Sequence, residues 1–396
     1  MWYTSSDFST LNLDHTIAKS LDLYHSSNFN QPNQDIFMSQ DSYLVVGGGN
    51  TGLATSVHLS SQGNPVYLFS RRYSSISQTK IVRSTGICSP GNYPIAACAN
   101  QIEEIAAANE GKLPGNIVIC CRGQDIESYA RILGAYINSQ SNILIICASR
   151  FSGRVFGKVL QREFDRLQTQ LPAVGDVNNS PFACRGNADD EVRISKFKNQ
   201  FKVAAQNSEM TERIVAAYQD SFKSLRTASS SLEVNLDKCN DIFHVPLIIA
   251  SLARWELGES YNIYRGFGPR TANLIGDLDS ERLAIAKALG FPDLSNMYDY
   301  FKTAFGTPGP SLYEHIHQIK ALDNATIRNP HHRYLSEELP FGAFPLQALA
   351  RLTGVDTPCL DSCITLGSKF IDEPLTWTAQ FLELDIQWLN SQLTHN

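Results

Sequence analysis

Along the chain the spacing of apolar and polar positions changes character once, near its midpoint. From residue 42, short apolar runs alternate with helix-like stretches. "SYLVVGGG" ends in glycines, "NTGLATSVHLSSQG" follows with helical spacing, and "PVYLFS" is apolar again. A strand, a glycine turn, a helix and a second strand in this order make a βαβ unit. Further buried-strand candidates are "NIVICC" (116–121) and "NILIICA" (142–148), with the helical pattern "IESYARILGAYINSQ" between them. Two more β-like runs, "PFACRG" and "VRISKFKNQFKVAA", come near 181–205. Alternation of this kind predicts a doubly wound parallel sheet.

From about residue 208 the period becomes helical. "EMTERIVAAYQDSFKSL", "PLIIASLARWELGE", "TANLIGDLDSERLAIAKALG", "SLYEHIHQIKAL" and "FPLQALARLTG" place apolar residues at i, i+3 and i+4. The fold class expected is α/β, a Rossmann-type doubly wound sheet followed by an all-α C-terminal domain. Its expected divisions are a polar leader over 1–40, a nucleotide-binding domain over 41–205 and a helical substrate domain over 206–396.

At 396 residues the chain suits two domains, and 43% hydrophobic content is enough for a sizeable core. A net charge of -6 gives no electrostatic reason to expect nucleic acid or an anionic membrane surface as partner. No apolar run reaches the ~18–20 residues of a membrane span. The first forty residues lack the basic start and apolar core of a signal peptide. Nine cysteines, including the adjacent Cys120 and Cys121, show neither zinc-type C-x-x-C spacing nor a secreted framework, so no metal is expected. Buried free thiols in a reducing compartment, the cytoplasm, are the expectation.

Gly47-x-Gly49-x-x-Gly52 follows the first strand and opens the first helix, the context in which this spacing binds a dinucleotide. Gly47 permits the turn, Gly49 the approach of a pyrophosphate, and Gly52 close helix–strand packing. Asn50 and Thr51 lie inside the motif at the helix start, where free N–H groups bind phosphates. The second strand ends "LFSRR": Ser70, Arg71 and Arg72 stand where NAD binders usually place a carboxylate for the ribose. A hydroxyl and two guanidiniums suit a 2′-phosphate, so NADP (NADPH) is favoured and NAD remains possible. The plainer account is that these arginines face solvent.

In "NDIFHVPLIIASLARWE", His244 is placed just ahead of an apolar helix with Pro246 in its first turn. It is either an end residue bonded to nearby backbone or a proton donor and acceptor near neutral pH. "HHRYLSEELPFG" (331–342) gathers His331, His332, Arg333, Glu337 and Glu338 before a Pro-Phe-Gly turn. Its bland account is an exposed i, i+4 pair between Arg333 and Glu337, worth a few tenths of a kcal/mol. Its sharper account carries these charges into an interdomain cleft.

These segments bear a family resemblance. "NDIFHVP", "YNIYRGFGPRTANLIGDLDSERLAIAKALG" and "RYLSEELPFGAFPLQALARLTGVDTP" resemble the octopine/nopaline (opine) dehydrogenases, from residue 44 to about 365. The resemblance implies NAD(P)H-dependent reductive condensation of an amino acid or amine with a 2-oxo acid through an imine, in a cleft between the two domains. It implies that His244 polarises the substrate and moves a proton, that Arg333 holds a substrate carboxylate, and that Glu338 orients the histidine. Glu338 stands where the family usually has Asp, and "CCRGQD" replaces a blander loop, placing Cys121 and Arg122 near the nicotinamide edge. A dedicated imine reductase of specialised metabolism fits as well as a scavenging enzyme, and a homodimer is possible. The alternatives are a ketopantoate-type hydroxyacid dehydrogenase reducing a ketone, or a catalytically silent nucleotide-binding relative.

Overall fold

The computed structural model describes residues 42–71, 75–167, 169–306, 309–323, 325–327, 333–371 and 388–389. The leader over 1–40, Arg72, His331 and His332 lie outside the described residues. In chain order the strands are β1 (Tyr43–Val46), β2 (Val66–Phe69), β3 (Ile81–Gly86), β4 (Gly91–Pro94), β5 (Ala97–Ala99), β6 (Asn116–Ile119) and β7 (Asn142–Ile145). They continue with β8 (Ala173–Val177), β9 (Phe182–Ala188), β10 (Glu191–Phe197), β11 (Phe201–Ala204), β12 (Leu225–Thr227), β13 (Tyr261–Asn262) and β14 (Thr326–Ile327).

The large sheet runs β12-β11-β8-β7-β6-β1-β2-β5. From β5 to β8 every neighbouring pair is parallel; β11 then runs antiparallel to β8. The continuous apolar runs follow from burial on both faces. Tyr43 and Val45 enter one core with Leu53 and Val118, while Leu44 and Val46 enter the other with Ile117 and Ile119. The order reverses at β1, which has β2 on one side and β6 on the other. In open α/β sheets that crevice is where ligands bind.

The sheet does not end at residue 205. Strand β12 belongs to it and helix Ser208–Tyr218 packs on it, so the expected boundary at 205–206 falls inside the sheet's last β–α–β run. The run read as one β segment, "VRISKFKNQFKVAA", is two strands in different sheets. β10 pairs with β3 and β9 in a small four-stranded sheet, whereas β11 joins the large one. The polar Lys198-Asn199-Gln200 step separates them: Lys198 N–H donates to Pro181 O (2.9 Å) and the Asn199 amide to Thr303 O (2.9 Å). The small sheet packs on the helix Asn50–Ser60, whose His58 ring sits among Phe182, Phe197 and Phe222.

The C-terminal half has its own core, built around helices Asn240–Ile249 and Pro269–Ala288. It also carries one short antiparallel ladder, β13–β14, which its helical periodicity did not announce. Two buried ion pairs join the halves where the sheet's strands end. Arg150, just past β7, reaches Asp241 Oδ1 at 2.8 Å, with both side chains at most 1% exposed. Lys238 Nζ reaches Asp176 Oδ1, on β8, at 2.9 Å. Phe151 beside Arg150 has φ +59°, a costly conformation for a bulky residue, and is fully buried in the helical core.

Two outcomes follow. Asp241→Ala leaves the Arg150 guanidinium buried without its anion and should cost about 3–5 kcal/mol, read from the urea midpoint. Burial holds His58 below the usual histidine value, against the opposing bond to Ser221 O. The unfolded chain therefore takes up this proton first, and the stability that the neutral ring contributes is full above about pH 6.5 and declines below it. The thermal midpoint of the wild type minus that of a His58→Gln variant should shrink between pH 7.5 and pH 5.5.

Candidate active site

The site is built at the end of β1. Gly47 has φ +107°, and a Cβ there would lie 2.2 Å from Cys120 O. At Gly52 a Cβ would lie 1.8 Å from Gly47 O, whereas at Gly49 nothing stands within 4 Å. The outer two glycines are thus required by the protein's own backbone, and the middle one faces open space that a pyrophosphate can approach. Gly49 caps the helix Asn50–Ser60 without a side-chain bond, which leaves the first N–H groups at Asn50, Thr51 and Gly52 to a ligand. The Asn50 side chain is occupied: its Oδ1 accepts from Gly186 N–H at 2.9 Å. The loop fits a dinucleotide.

Ser70 is 5% exposed, and its hydroxyl lies against Gly48, where a Cβ would be 2.5 Å from Oγ. Arg71 is half-exposed and donates to Asp125 Oδ1 while its guanidinium sits 4.7 Å from the centre of the Tyr129 ring. Arg122 reaches the other oxygen of Asp125 at 3.8 Å. Arg122 therefore joins Arg71 around one carboxylate. Burial holds the Cys121 thiol well above its ordinary range, with neighbouring thiols and carboxylates adding to the effect, so it stays neutral.

His244 lies within helix Asn240–Ile249 instead of ahead of it, because the helix begins at Asn240, six residues before Pro246. Pro246 sits in the helix interior, removing one backbone donor. His244 is 9% exposed. Its Nδ1 donates to Glu338 Oε2 at 2.7 Å, its Nε2 is 2.7 Å from the Tyr264 hydroxyl, and the Tyr334 ring stacks on it at 3.7 Å. The Tyr264 and Tyr334 hydroxyls are 2.9 Å apart. Glu338, one methylene longer than Asp, thus reaches the histidine.

Arg333 opens a single helical turn, Arg333–Ser336, and donates from Nε to Glu337 (2.9 Å) and from Nη2 to Glu338 (3.2 Å). The i, i+4 pair exists, but it is not the exposed link of the bland account: Glu337 is 1% exposed. Glu337 also accepts from Gly123 N–H at 3.2 Å and from the Ser149 hydroxyl at 3.4 Å, groups just past β6 and β7. It ties the helical half to the ends of the central strands. The "PFG" turn makes this possible. Pro340 has no N–H to continue the helix, and residues Leu339–Ala343 widen into a π turn. A Cβ on Gly342 would come within 2.6 Å of Asp241, so only glycine lets the turn lie on the His244 helix.

The structure therefore brings together His244, Glu338 and Arg333, and links them through Glu337 to the loop after β6, whose Cys120 touches Gly47. Arg71 and Arg122 meet elsewhere, around Asp125. Sequence reasoning missed Tyr264, Tyr334 and Asp125, and undervalued Glu337. The aromatic Tyr-Arg and Arg-Tyr pairs at 264–265 and 333–334 were a signal available in the sequence.

Residues 227–371 match the family described as NAD/NADP octopine/nopaline dehydrogenase, alpha-helical domain. The opine dehydrogenase of Arthrobacter sp. (strain 1C) is 24% identical over 346 residues, covering 86% of this chain and 94% of that one. An octopine dehydrogenase structure with NADH and L-arginine superimposes with a TM-score of 0.65 at 16% identity, over 90% of this chain and 98% of that one. Yersinopine dehydrogenase with NADP+ bound gives a TM-score of 0.65 at 14% identity, over 89% and 99%. The helical half thus matches the helical domain of that family, and the fold of the chain follows the octopine and yersinopine dehydrogenase structures along nearly its whole length.

Proposed function

We propose that the chain is an NADPH-dependent imine reductase of the opine type, joining an amine or amino acid to a 2-oxo acid, in the cytoplasm and in specialised metabolism. The observation that carries this reading is the carboxylate–histidine pair of Glu338 and His244, held at 2.7 Å with Arg333 on the other carboxylate oxygen. A carboxylate on Nδ1 fixes the tautomer and supports the imidazolium, as general acid–base work requires. Arg333 is the positive group beside it. Its Nη1 has no partner among the described residues and is the nitrogen a substrate carboxylate would use.

The cofactor, when bound, supplies hydride, and the chain's own groups do the rest. Gly49 and the N–H groups of residues 50–52 hold the diphosphate. Arg71 and Arg122 outnumber Asp125 around the ribose end, a net positive charge that favours a 2′-phosphate. The nine cysteines, all unbridged, support a reducing compartment. No described helix is long and apolar enough to cross a membrane.

The test is an NADPH-oxidation screen that crosses amino acids and small amines with 2-oxo acids. Consumption that needs both partners supports the proposal, and consumption with a 2-oxo acid alone assigns ketone reduction instead. His244→Ala should lower kcat/KM by about 10²–10⁴-fold, while NADPH affinity by fluorescence titration stays near wild type. Unchanged turnover would remove His244 from the chemistry. Arg71→Ala removes one charge-assisted bond and should weaken NADPH by about tenfold with little effect on NADH; equal losses for both would sink the NADP preference.

A further inference from the structure

An imidazole has only two nitrogens with which to exchange protons, and in His244 both are engaged. Nδ1 meets Glu338 Oε2 at 2.7 Å, and Nε2 meets the Tyr264 hydroxyl at 2.7 Å. Tyr334 lies flat against the ring, 3.7 Å away with 12° between the planes. A substrate atom therefore finds no nitrogen of His244 to bond. The hydroxyl on Nε2 is the next group in line, and a phenol can accept one proton while giving up another.

We propose that Tyr264 is the catalytic residue that hands the proton to the substrate, with His244 as its reservoir. This deepens the reductase reading and rests on it. In the reducing direction, the imidazolium donates Nε2–H to the Tyr264 oxygen, and Tyr264 O–H donates to the nitrogen of an imine or the oxygen of a carbonyl. Hydride from the reduced nicotinamide forms the new C–H bond, and the π pair of the double bond moves onto that nitrogen or oxygen. The heteroatom takes the Tyr264 proton, and Tyr264 takes the Nε2 proton. His244 ends neutral, Tyr264 ends as it began, and the oxidised nicotinamide carries the positive charge that the imidazolium lost.

The surroundings of Tyr264 are built for this. Its ring stacks on Phe243 at 5.7 Å, 11° from parallel, and its backbone N–H donates to Asn262 Oδ1 at 2.9 Å. Asn262 belongs to the β13–β14 ladder, which Arg185 of the small sheet joins through Thr326 O. Ring and backbone of Tyr264 are thus both fixed, and its hydroxyl meets His244 and Tyr334. Burial, with Tyr334 and Glu338 adding to it, keeps the phenol well above its ordinary value, so the proton is passed on as another arrives and no phenolate accumulates. Tyr334 supplies a second hydroxyl at 2.9 Å that steadies the first.

The experiment is stopped-flow oxidation of NADPH by wild type and Tyr264→Phe, in mixtures of H2O and D2O. Phenylalanine keeps the stack on Phe243 and removes only the hydroxyl. Tyr264→Phe should lower the single-turnover rate by about 10²–10³-fold, with KM for the 2-oxo acid and NADPH affinity within about threefold. The wild-type rate should fall along a curve with deuterium content, the mark of two protons in flight, and the variant should lose that curvature. A variant within about threefold of wild type, or a wild-type dependence that is linear, overturns the relay. The wild-type curve decides the matter by itself if the variant does not fold. An enzyme that reduces a 2-oxo acid without amine overturns the imine assignment alone, because a carbonyl oxygen needs the same proton and the Tyr264 comparison still reads it.

Discussion

Every arrangement at the site depends on Arg150 being buried against Asp241. The guanidinium leaves the end of β7, crosses into the helical half, and is fastened by the carboxylate one turn before His244. Its remaining donors go to the carbonyls of Asn235 and Lys238, at the approach to that same helix. Lys238 answers in the opposite direction, reaching back to Asp176 and to the Ser149 carbonyl. Such pairs add little net stability, since both ions lose their water. Breaking one is expensive, and that asymmetry gives them their value here: the two halves have one way to meet. Phe151, held in the left-handed region and buried among helical-core side chains, adds a second cost to any other arrangement.

Much of this was legible in the chain. The βαβ unit and the glycine turn were readable because both sheet faces are buried, and a strand buried on both faces writes itself as a continuous apolar run. The edge strand β4 was not, because Gly91–Pro94 is polar and exposed and carries no such signature. The position of His244 was missed by a turn, since Pro246 mimics a helix start and nothing local reveals that Cys239 caps the helix. The contact of Arg122 with Asp125 was not legible, because it is set by the turn after β6. The bond from Glu337 to Gly123 spans 214 residues, a separation at which local pattern says nothing.

Function in the segment 333–342 is distributed in a way that its sequence conceals. One stretch supplies the cation proposed for a substrate, the anion for the histidine, the anchor to the strand ends and the wide turn that rests on Asp241. These duties share charge, so none can be altered by itself. Arg333 neutralises the two carboxylates that serve His244 and Gly123, and its removal would leave both buried anions uncompensated.

That sharing has a bearing on how such an enzyme acquires new substrates. A residue proposed to hold the substrate that also balances the electrostatics of its own scaffold is closed to gradual change. Diversification would then be channelled toward positions that line the reaction space without belonging to the charge circuit. Opine chemistry could thus pass from one amine to another while Arg333, Glu337 and Glu338 stay in place, leaving a conserved reaction framed by a variable rim.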